Sequence, residues 1–370
     1  MKNTLAKPTS SFIIVGIWAS LLTALGVWLY RAYGVSPSFP YYHSLLKYVG
    51  DAGCGVWGYF DGVHYLRLVE SGYVDTGTQA FFPLYPLFTS LISQLTGLNA
   101  YISGLILSWT SLTLSLLVLW ELYPKQKNYQ TISLLLFPTS FFLLGIYTES
   151  LFLLLSLGFF LSLKKERYLL ASVLAGLASA TRLVGVFLAL ALAISLYRRY
   201  RLTRPIYSLC LLTLSIAGLL LYSLYLYTDF GDPLMFLHVQ SLFGANRSDG
   251  ELIYLPQVLY RYLKMIFTVD PTSFAYQRIW LELISFLGAI WLWYKNLKNQ
   301  SQEINLYVIA SLLLPTLTGT LSSIPRYILV LVPFLLPNNK KTMSYFILLT
   351  FNFLLLMYFL SHFAHGTFVA

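Results

Sequence analysis

Apolar runs long enough to cross the hydrocarbon core of a bilayer recur from Ser11 to the C-terminal end, and short basic clusters separate them. Such a run needs about 20 apolar residues to span as a helix, and lipid offers the backbone no hydrogen bonds, so spanning segments must satisfy their own. With 57% hydrophobic residues, 10% charged and a mean hydropathy of +0.68, the chain has a membrane-class composition. The expected fold is all-α: one polytopic membrane domain over residues 1–370, of about eleven transmembrane helices with interfacial helices on the outer face. The spans are expected at 11–33, 101–121, 131–147, 150–163, 168–181, 183–197, 205–227, 279–295, 304–320, 326–337 and 343–362, with the N-terminus cytoplasmic and the C-terminus outside. Lys2 and Lys7 precede an apolar stretch that ends near Tyr30, too long for a signal-peptide core, so it reads as an uncleaved first span.

The net charge of +10 suggests a nucleic-acid partner until its distribution is considered. Lys2, Lys7, Lys125, Lys127, Lys164, Lys165, Arg167, Arg198, Arg199, Arg201, Arg204, Lys295, Lys298, Lys340 and Lys341 all fall on one side of the expected topology. They are most of the 24 basic residues, and only Glu121, Glu166 and Glu303 of the 14 acids join them. This is the positive-inside pattern of a multi-pass membrane protein, and nucleic acid is not an expected partner. Residues 81–98 are apolar enough to span, but doing so would reverse every downstream cluster. With Pro83 and Pro86 near its start, the segment is read as an interfacial or re-entrant helix.

Two outer loops, 34–100 and 228–278, hold most of the polar chemistry. Cys54 and Cys210 are far apart and suggest no disulfide, and the five histidines show no zinc-ligand spacing. In the first loop, Gly58-Tyr59-Phe60-Asp61-Gly62-Val63-His64-Tyr65 places an acid three positions before an imidazole. The spacing of Val63, Leu66 and Val69 predicts a short amphipathic helix with Asp61 at its N-cap and Gly62 allowing a tight turn. Asp61 and His64 then read either as a cap and a wet face or as an acid–base pair. Tyr147-Thr148-Glu149-Ser150 lies at the outer junction of two apolar runs, with Glu149 either facing solvent or lining a cavity. Arg182, in Thr181-Arg182-Leu183-Val184-Gly185, interrupts an apolar run, as a snorkelling side chain or as a phosphate ligand. Arg326 and Tyr327 open a short helix after Pro325, as interface anchors or as a phosphate ligand and a wall of a sugar site. The segment Asp229-Phe230-Gly231-Asp232-Pro233 reads as a turn, and its acids resemble a metal pair only loosely.

The order of an outer-loop Asp61-Gly62, then Ala80-Phe81-Phe82-Pro83-Leu84-Tyr85-Pro86, then Phe137-Pro138 with Tyr147-Thr148-Glu149-Ser150, then Thr181-Arg182-x-x-Gly185 and Pro325-Arg326-Tyr327 resembles one family. It is that of the second mannosyltransferase of GPI-anchor assembly and its prokaryotic relatives, within the GT-C class. Phe60 stands where the family usually has Trp before Asp-Gly. The resemblance implies a multi-pass enzyme using a polyprenyl-phosphate sugar at the outer or lumenal face. Asp61 would be the general base, His64 would orient it or bind phosphate, and Arg182 and Arg326 would hold the leaving phosphate. Tyr85, Tyr147, Glu149 and Tyr327 are the substrate-binding candidates. An inverting displacement would turn a β-linked donor into an α-mannoside on a lipid, glycan or protein acceptor. No cofactor is called for, a divalent metal is not demanded, and the partners are the lipid donor, the surrounding membrane lipid and an unidentified acceptor. The chain length favours a prokaryotic relative in a cell membrane over one in the endoplasmic reticulum. A flippase or transporter of lipid-linked sugars is the main alternative, though its polar groups would gather near the midplane instead of on one side.

Overall fold

The structure is a computed structural model that describes residues 8–36, 39–49, 52–243, 252–336 and 343–370. Lys2, Lys7, Asp249, Glu251, Lys340, Lys341, the end of the expected span at 337 and the side chain of Cys54 lie outside the described residues. Every regular element among them is helical. In chain order the first helices are α1 (Pro8–Tyr33), α2 (Tyr42–Val49), α3 (Asp61–Ser71), α4 (Leu84–Thr96), α5 (Ala100–Leu122), α6 (Lys127–Leu135) and α7 (Glu149–Lys164). Then come α8 (Tyr168–Ser179), α9 (Phe187–Tyr200), α10 (Pro205–Ser215), α11 (Ala217–Phe230), α12 (Met235–His238) and α13 (Leu255–Thr268). The last are α14 (Phe274–Asn296), α15 (Gln302–Leu313), α16 (Ile324–Leu335) and α17 (Met343–Ala364).

By length and composition, four helices among the described residues suit a membrane crossing: 9–33, 100–122, 183–200 and 345–364. A fifth is added if α10 and α11, bent by 58° at their junction, count as one broken span. These five correspond to expected spans 11–33, 101–121, 183–197, 343–362 and 205–227. Five more expected spans are helices, but α7, α8, α15 and α16 are short, and α14 carries Arg278, Glu282 and Lys295. The remaining one, 131–147, is not a continuous helix. It is α6 followed by turns and one short 3₁₀ turn, Ser140–Leu143. The exposed apolar side chains of α1 and α17, among them Phe12, Ile17, Leu21, Phe346, Phe351 and Leu354, form a lipid-compatible surface.

The chain divides into two compact units. The first comprises residues 1–72, 83–161 and 338–369, and the second 73–82, 162–337 and 370. In the first, α5 meets α1, α2, α3, α4 and α6. Its buried face carries Ser103, Gly104, Ser108, Ser111 and Ser115, small residues that let neighbouring backbone approach closely. The irregular segment after α6 lies against this face. Its carbonyls, released from helical pairing by Pro138 and Gly145, are taken up by side chains. Ser108 donates to Gly145 (2.7 Å), Trp109 to Leu144 (3.1 Å), Ser150 to Leu143 (2.6 Å) and Ser140 to Leu135 (2.6 Å). The amide of Ile146 donates to the carbonyl of Trp57 at 2.7 Å. The expected span fails here because non-helical backbone is stable in such a protein only when buried and fully paired.

In the second unit α8 packs against α10 and α11 at glycines. A Cβ on Gly218 would sit 2.2 Å from the Gly176 carbonyl oxygen, and one on Gly176 2.5 Å from that of Leu214. α9 lies along α15, where Arg198 donates to Glu303 at 2.6 Å.

Ser108 should matter more than its size suggests. Ser108→Ala removes one of the two donors to the buried Gly145 carbonyl, the Tyr147 amide being the other, and a partner of the Tyr85 hydroxyl, and should cost about 1–1.5 kcal/mol. Thr110→Ala, on the exposed side of the same helix, should stay within about 0.5 kcal/mol. Thermal melts of both variants in detergent check the pair, and equal melting temperatures would show that the segment does not depend on α5.

Candidate functional site

α3 presents a polar edge at three-residue spacing. Asp61, His64 and Arg67 are half-buried and Glu70 is exposed, whereas Gly62, Val63, Tyr65, Leu66 and Leu68 are buried. These two sets occupy opposite faces of a helix. The chain at and just before α2 meets the polar edge rung by rung. His64 Nε2 lies 3.2 Å from the Tyr41 hydroxyl, Arg67 donates to Ser44 at 2.9 Å, and Tyr48 donates to Glu70 at 3.0 Å. Burial, and then the charge of Asp61, pushes the Tyr41 phenol above its ordinary value. Tyr41 therefore stays protonated at neutral pH and keeps its hydrogen-bonding proton beside His64.

Asp61 is the first residue of α3 and not its cap. The cap position is Phe60, at φ 51° and ψ −114°, and no side chain caps the helix. A bulky residue at positive φ is an outlier. Phe60 is held there by Phe39, Phe363 and Phe368, whose ring centroids lie 5.2, 5.8 and 5.5 Å away. The tight turn expected of Gly62 is thus made at Phe60. Gly62 is an ordinary helical residue, and a Cβ there would find its nearest atoms at 3.6 Å.

Glu149 is fully buried at the start of α7. The wet interfacial turn is therefore not its setting, although a carboxylate is favoured at a helix N-terminus. Its charge reaches Tyr85, whose phenol is raised above its ordinary value mainly by burial. Tyr85 and Tyr147 are buried, with hydroxyls committed to backbone. Tyr85 donates to Gly104 (3.0 Å) and lies 2.8 Å from Ser108 Oγ, and Tyr147 donates to Tyr59 (2.6 Å). Tyr85 thus fastens α4 to α5, and Tyr147 fastens the irregular segment to the chain that leads into Asp61.

The second unit carries the arginines. Arg182 has extended backbone between α8 and the 3₁₀ turn Leu183–Val186. Gly185 folds back so tightly that a Cβ would lie 2.4 Å from the Ala178 carbonyl. The Arg182 guanidinium stacks on the Tyr327 ring, 4.4 Å from its centroid, a cation–π contact that fixes its plane. Arg326, in the first turn of α16, is only 6% exposed. An anchor that snorkels to the interface would show its head to solvent, so that reading of Arg326 is set aside. Ser323, at φ 67°, occupies the N-cap position of α16 without a side-chain capping bond. The turn before it is tied down by Tyr262, which accepts from the Leu321 amide (3.1 Å), lies 3.3 Å from the Thr320 hydroxyl and donates to Glu282. Arg261 donates to the Gly319 carbonyl at 3.0 Å. Glu282 is 4% exposed and lies 3.7 Å from Arg278. Sequence reasoning passed over Glu282, although an acid inside an expected span is itself a signal.

In the 228–278 segment α11 runs on through Asp229 and Phe230, so the turn expected over 229–233 begins only at Gly231, its C-cap at φ 76°. The hydrogen bond from His238 (2.7 Å) holds the Asp232 carboxyl below its usual value. Among the described residues no group of three or more His, Cys, Asp or Glu is placed to hold a metal ion.

Part of this chain is similar to human GPI alpha-1,6-mannosyltransferase 2, with 31% identity over 147 residues. The match covers 36% of the chain and 30% of that protein, so the chain spans less than a third of its relative's length. No family model matches, and no solved structure matches.

Because the turn is made at Phe60, Gly62→Ala should be tolerated. The helix preference for alanine predicts a gain of up to about 1 kcal/mol. Thermal denaturation of the purified variant checks it, and a large loss would return the turn to Gly62.

Proposed function

We propose that this protein is a membrane glycosyltransferase that moves mannose from a polyprenyl-phosphate donor to a lipid, glycan or protein acceptor at the outer face of the cell membrane. The observation that carries the reading is Asp61: a partly exposed carboxylate at the head of a helix, one turn from His64, beyond an outlying Phe60 backbone. A polar edge held by Tyr41, Ser44 and Tyr48 is costly to build in an apolar protein, and acid–base chemistry gives it a use. The likeness to a human mannosyltransferase supports the choice of sugar.

In this reading Asp61 takes the proton of an acceptor hydroxyl. The acceptor oxygen bonds to the anomeric carbon as that carbon's bond to the phosphate oxygen breaks. The pair of electrons leaves with polyprenyl phosphate, and the configuration inverts. Arg182 and Arg326 are the leaving-group ligands, because a guanidinium offers a planar fork to phosphate oxygens. Tyr327 keeps Arg182 in plane and borders the sugar. His64 orients Asp61 or contacts phosphate, and Glu149, Tyr85 and Tyr147 are the sugar-binding candidates of the first unit. No divalent ion is required by these residues. The N-terminus lies in the cytoplasm.

The test is transfer of label from radiolabelled polyprenyl-phosphate mannose to a membrane extract by the purified protein in nanodiscs. Asp61→Asn should lower turnover by about a hundredfold or more while leaving the melting curve unchanged. Arg326→Lys keeps the charge but loses the fork and should cost about tenfold or more in kcat. Near-normal turnover by Asp61→Asn would remove it as the base. Donor that binds and crosses a liposome bilayer without transfer would point to a flippase.

A further inference from the structure

A groove of about 420 Å³ opens on the second unit, where the α7–α8 turn meets the end of α9 and the start of α10. Arg167 and Arg199 line it, with Tyr168, Tyr200 and Tyr207 as aromatic walls and Glu166 as the acid of the lining. Arg199 reaches Glu166 at 3.4 Å, and both side chains are more than half exposed. Arg204 adds charge from above the Tyr200 ring, 5.6 Å from its centroid. Arg198 is committed elsewhere, to Glu303 and Gln302. Three arginines against one acid leave the groove net positive.

The rim is apolar. The lining residues Leu169 and Leu170 are 60% and 44% exposed, and Ile206, next in sequence to the lining residue Tyr207, is 78% exposed. Positive charge in a tyrosine-walled groove beside exposed aliphatic side chains matches an amphiphile with an anionic head. A soluble anion has no use for such a rim. The groove is also at the lower end of the volume range of small-molecule sites. The backbone is unusual there as well. Of the five non-glycine residues with positive φ among the described residues, Glu166, Arg201 and Leu202 flank this groove. Basic pockets between membrane helices are suited to phosphate head groups.

We infer that this groove binds the phosphate head group of an anionic phospholipid, on the side that the basic clusters assign to the cytoplasm. The site is independent of the proposed transferase chemistry, since none of its residues has a role there. Arg167 and Arg199 hold the phosphate by charge-assisted hydrogen bonds. Tyr200 and Tyr207 border the glycerol, and Leu169 and Ile206 meet the acyl chains. Glu166 draws off part of the charge of Arg199 and limits affinity.

The experiment measures lipid retained by the purified full-length protein released from nanodiscs of phosphatidylcholine and phosphatidylglycerol, read by native mass spectrometry. Wild type should retain phosphatidylglycerol preferentially. Each basic residue near an anionic surface changes affinity about fivefold, so Arg167→Gln/Arg199→Gln should weaken retention by about thirtyfold. Lys295→Gln/Lys298→Gln removes the same charge from another inner cluster and should leave retention near wild type. Glu166→Gln should raise retention by about fivefold, a gain that misfolding cannot imitate. Equal loss in the two double variants, no preference for phosphatidylglycerol, or unchanged retention in Glu166→Gln would overturn the site. Displacement of the lipid by inorganic phosphate at matched concentration would overturn the lipid as its ligand.

Discussion

Backbone groups in the interior of a membrane protein must find partners within the protein, and the first unit is organised around one segment that cannot supply its own. Residues 136–148 leave the helical path where Pro138 and Gly145 interrupt it. The carbonyls of Leu143, Leu144 and Gly145 are met by Ser150, Trp109 and Ser108, and that of Leu135 at the end of α6 by Ser140. The small residues on the buried face of α5 let the segment approach closely enough for these bonds. The bond from Ile146 to the Trp57 carbonyl then ties the segment to the chain that enters α3. Asp61 is thus located by a chain of backbone satisfaction that begins at a broken helix. A straight span over 131–147 would have removed the bonds that fix the head of α3.

Each unit also buries charge, which an apolar interior tolerates only with compensation. In the first unit Glu149 sits at a helix N-terminus, where the peptide dipoles favour a carboxylate. In the second, Arg326 opens α16, and the turn before it is held by Tyr262 and the buried Glu282. The exposed pair Asp232 and His238 differs in kind. Solvent screens it, and it organises a loop without tying helices together.

The helical class and the polar head of α3 were legible because each rests on a short-range rule. Apolar runs of spanning length are helical, and Val63 and Leu66 set the buried face of α3 with Asp61 and His64 opposite. Helix α4 was legible for the same reason, from Pro83 and Pro86 at its start. The rest depends on contacts distant in sequence. Nothing near His64 announces Tyr41, and nothing near Gly62 announces that Phe60, braced by Phe363 and Phe368 from the far end of the chain, makes the turn. Hydropathy counted 131–147 as a span because it weighs side chains and not carbonyl partners. The same insensitivity hid Glu282, which a surrounding apolar average masks but a buried phenol accommodates. The lipid-facing length of most other helices is set by tilt and burial, which composition does not encode.

The distribution of backbone outliers connects these observations. A non-glycine residue at positive φ costs of order 1–3 kcal/mol and persists only when its surroundings over-determine it. The five such residues described here do not scatter over the loops. Phe60 precedes Asp61, Ser323 stands three residues before Arg326, and Glu166, Arg201 and Leu202 surround the arginine groove. Had these conformations arisen from accommodating turns alone, the turns at Gly72, Gly97 and Gly231 show the easier solution, since glycine reaches positive φ without strain. Keeping a phenylalanine or a serine at such a position is a choice of side chain over backbone comfort. At Phe60 the side chain closes the aromatic cluster behind Asp61, and its backbone aims the first turn of α3. The strain is therefore local to the entries of the helices that carry Asp61 and Arg326 and to the arginine groove, and at both helix entries the outlying residue sets the backbone of the first turn without a side-chain cap.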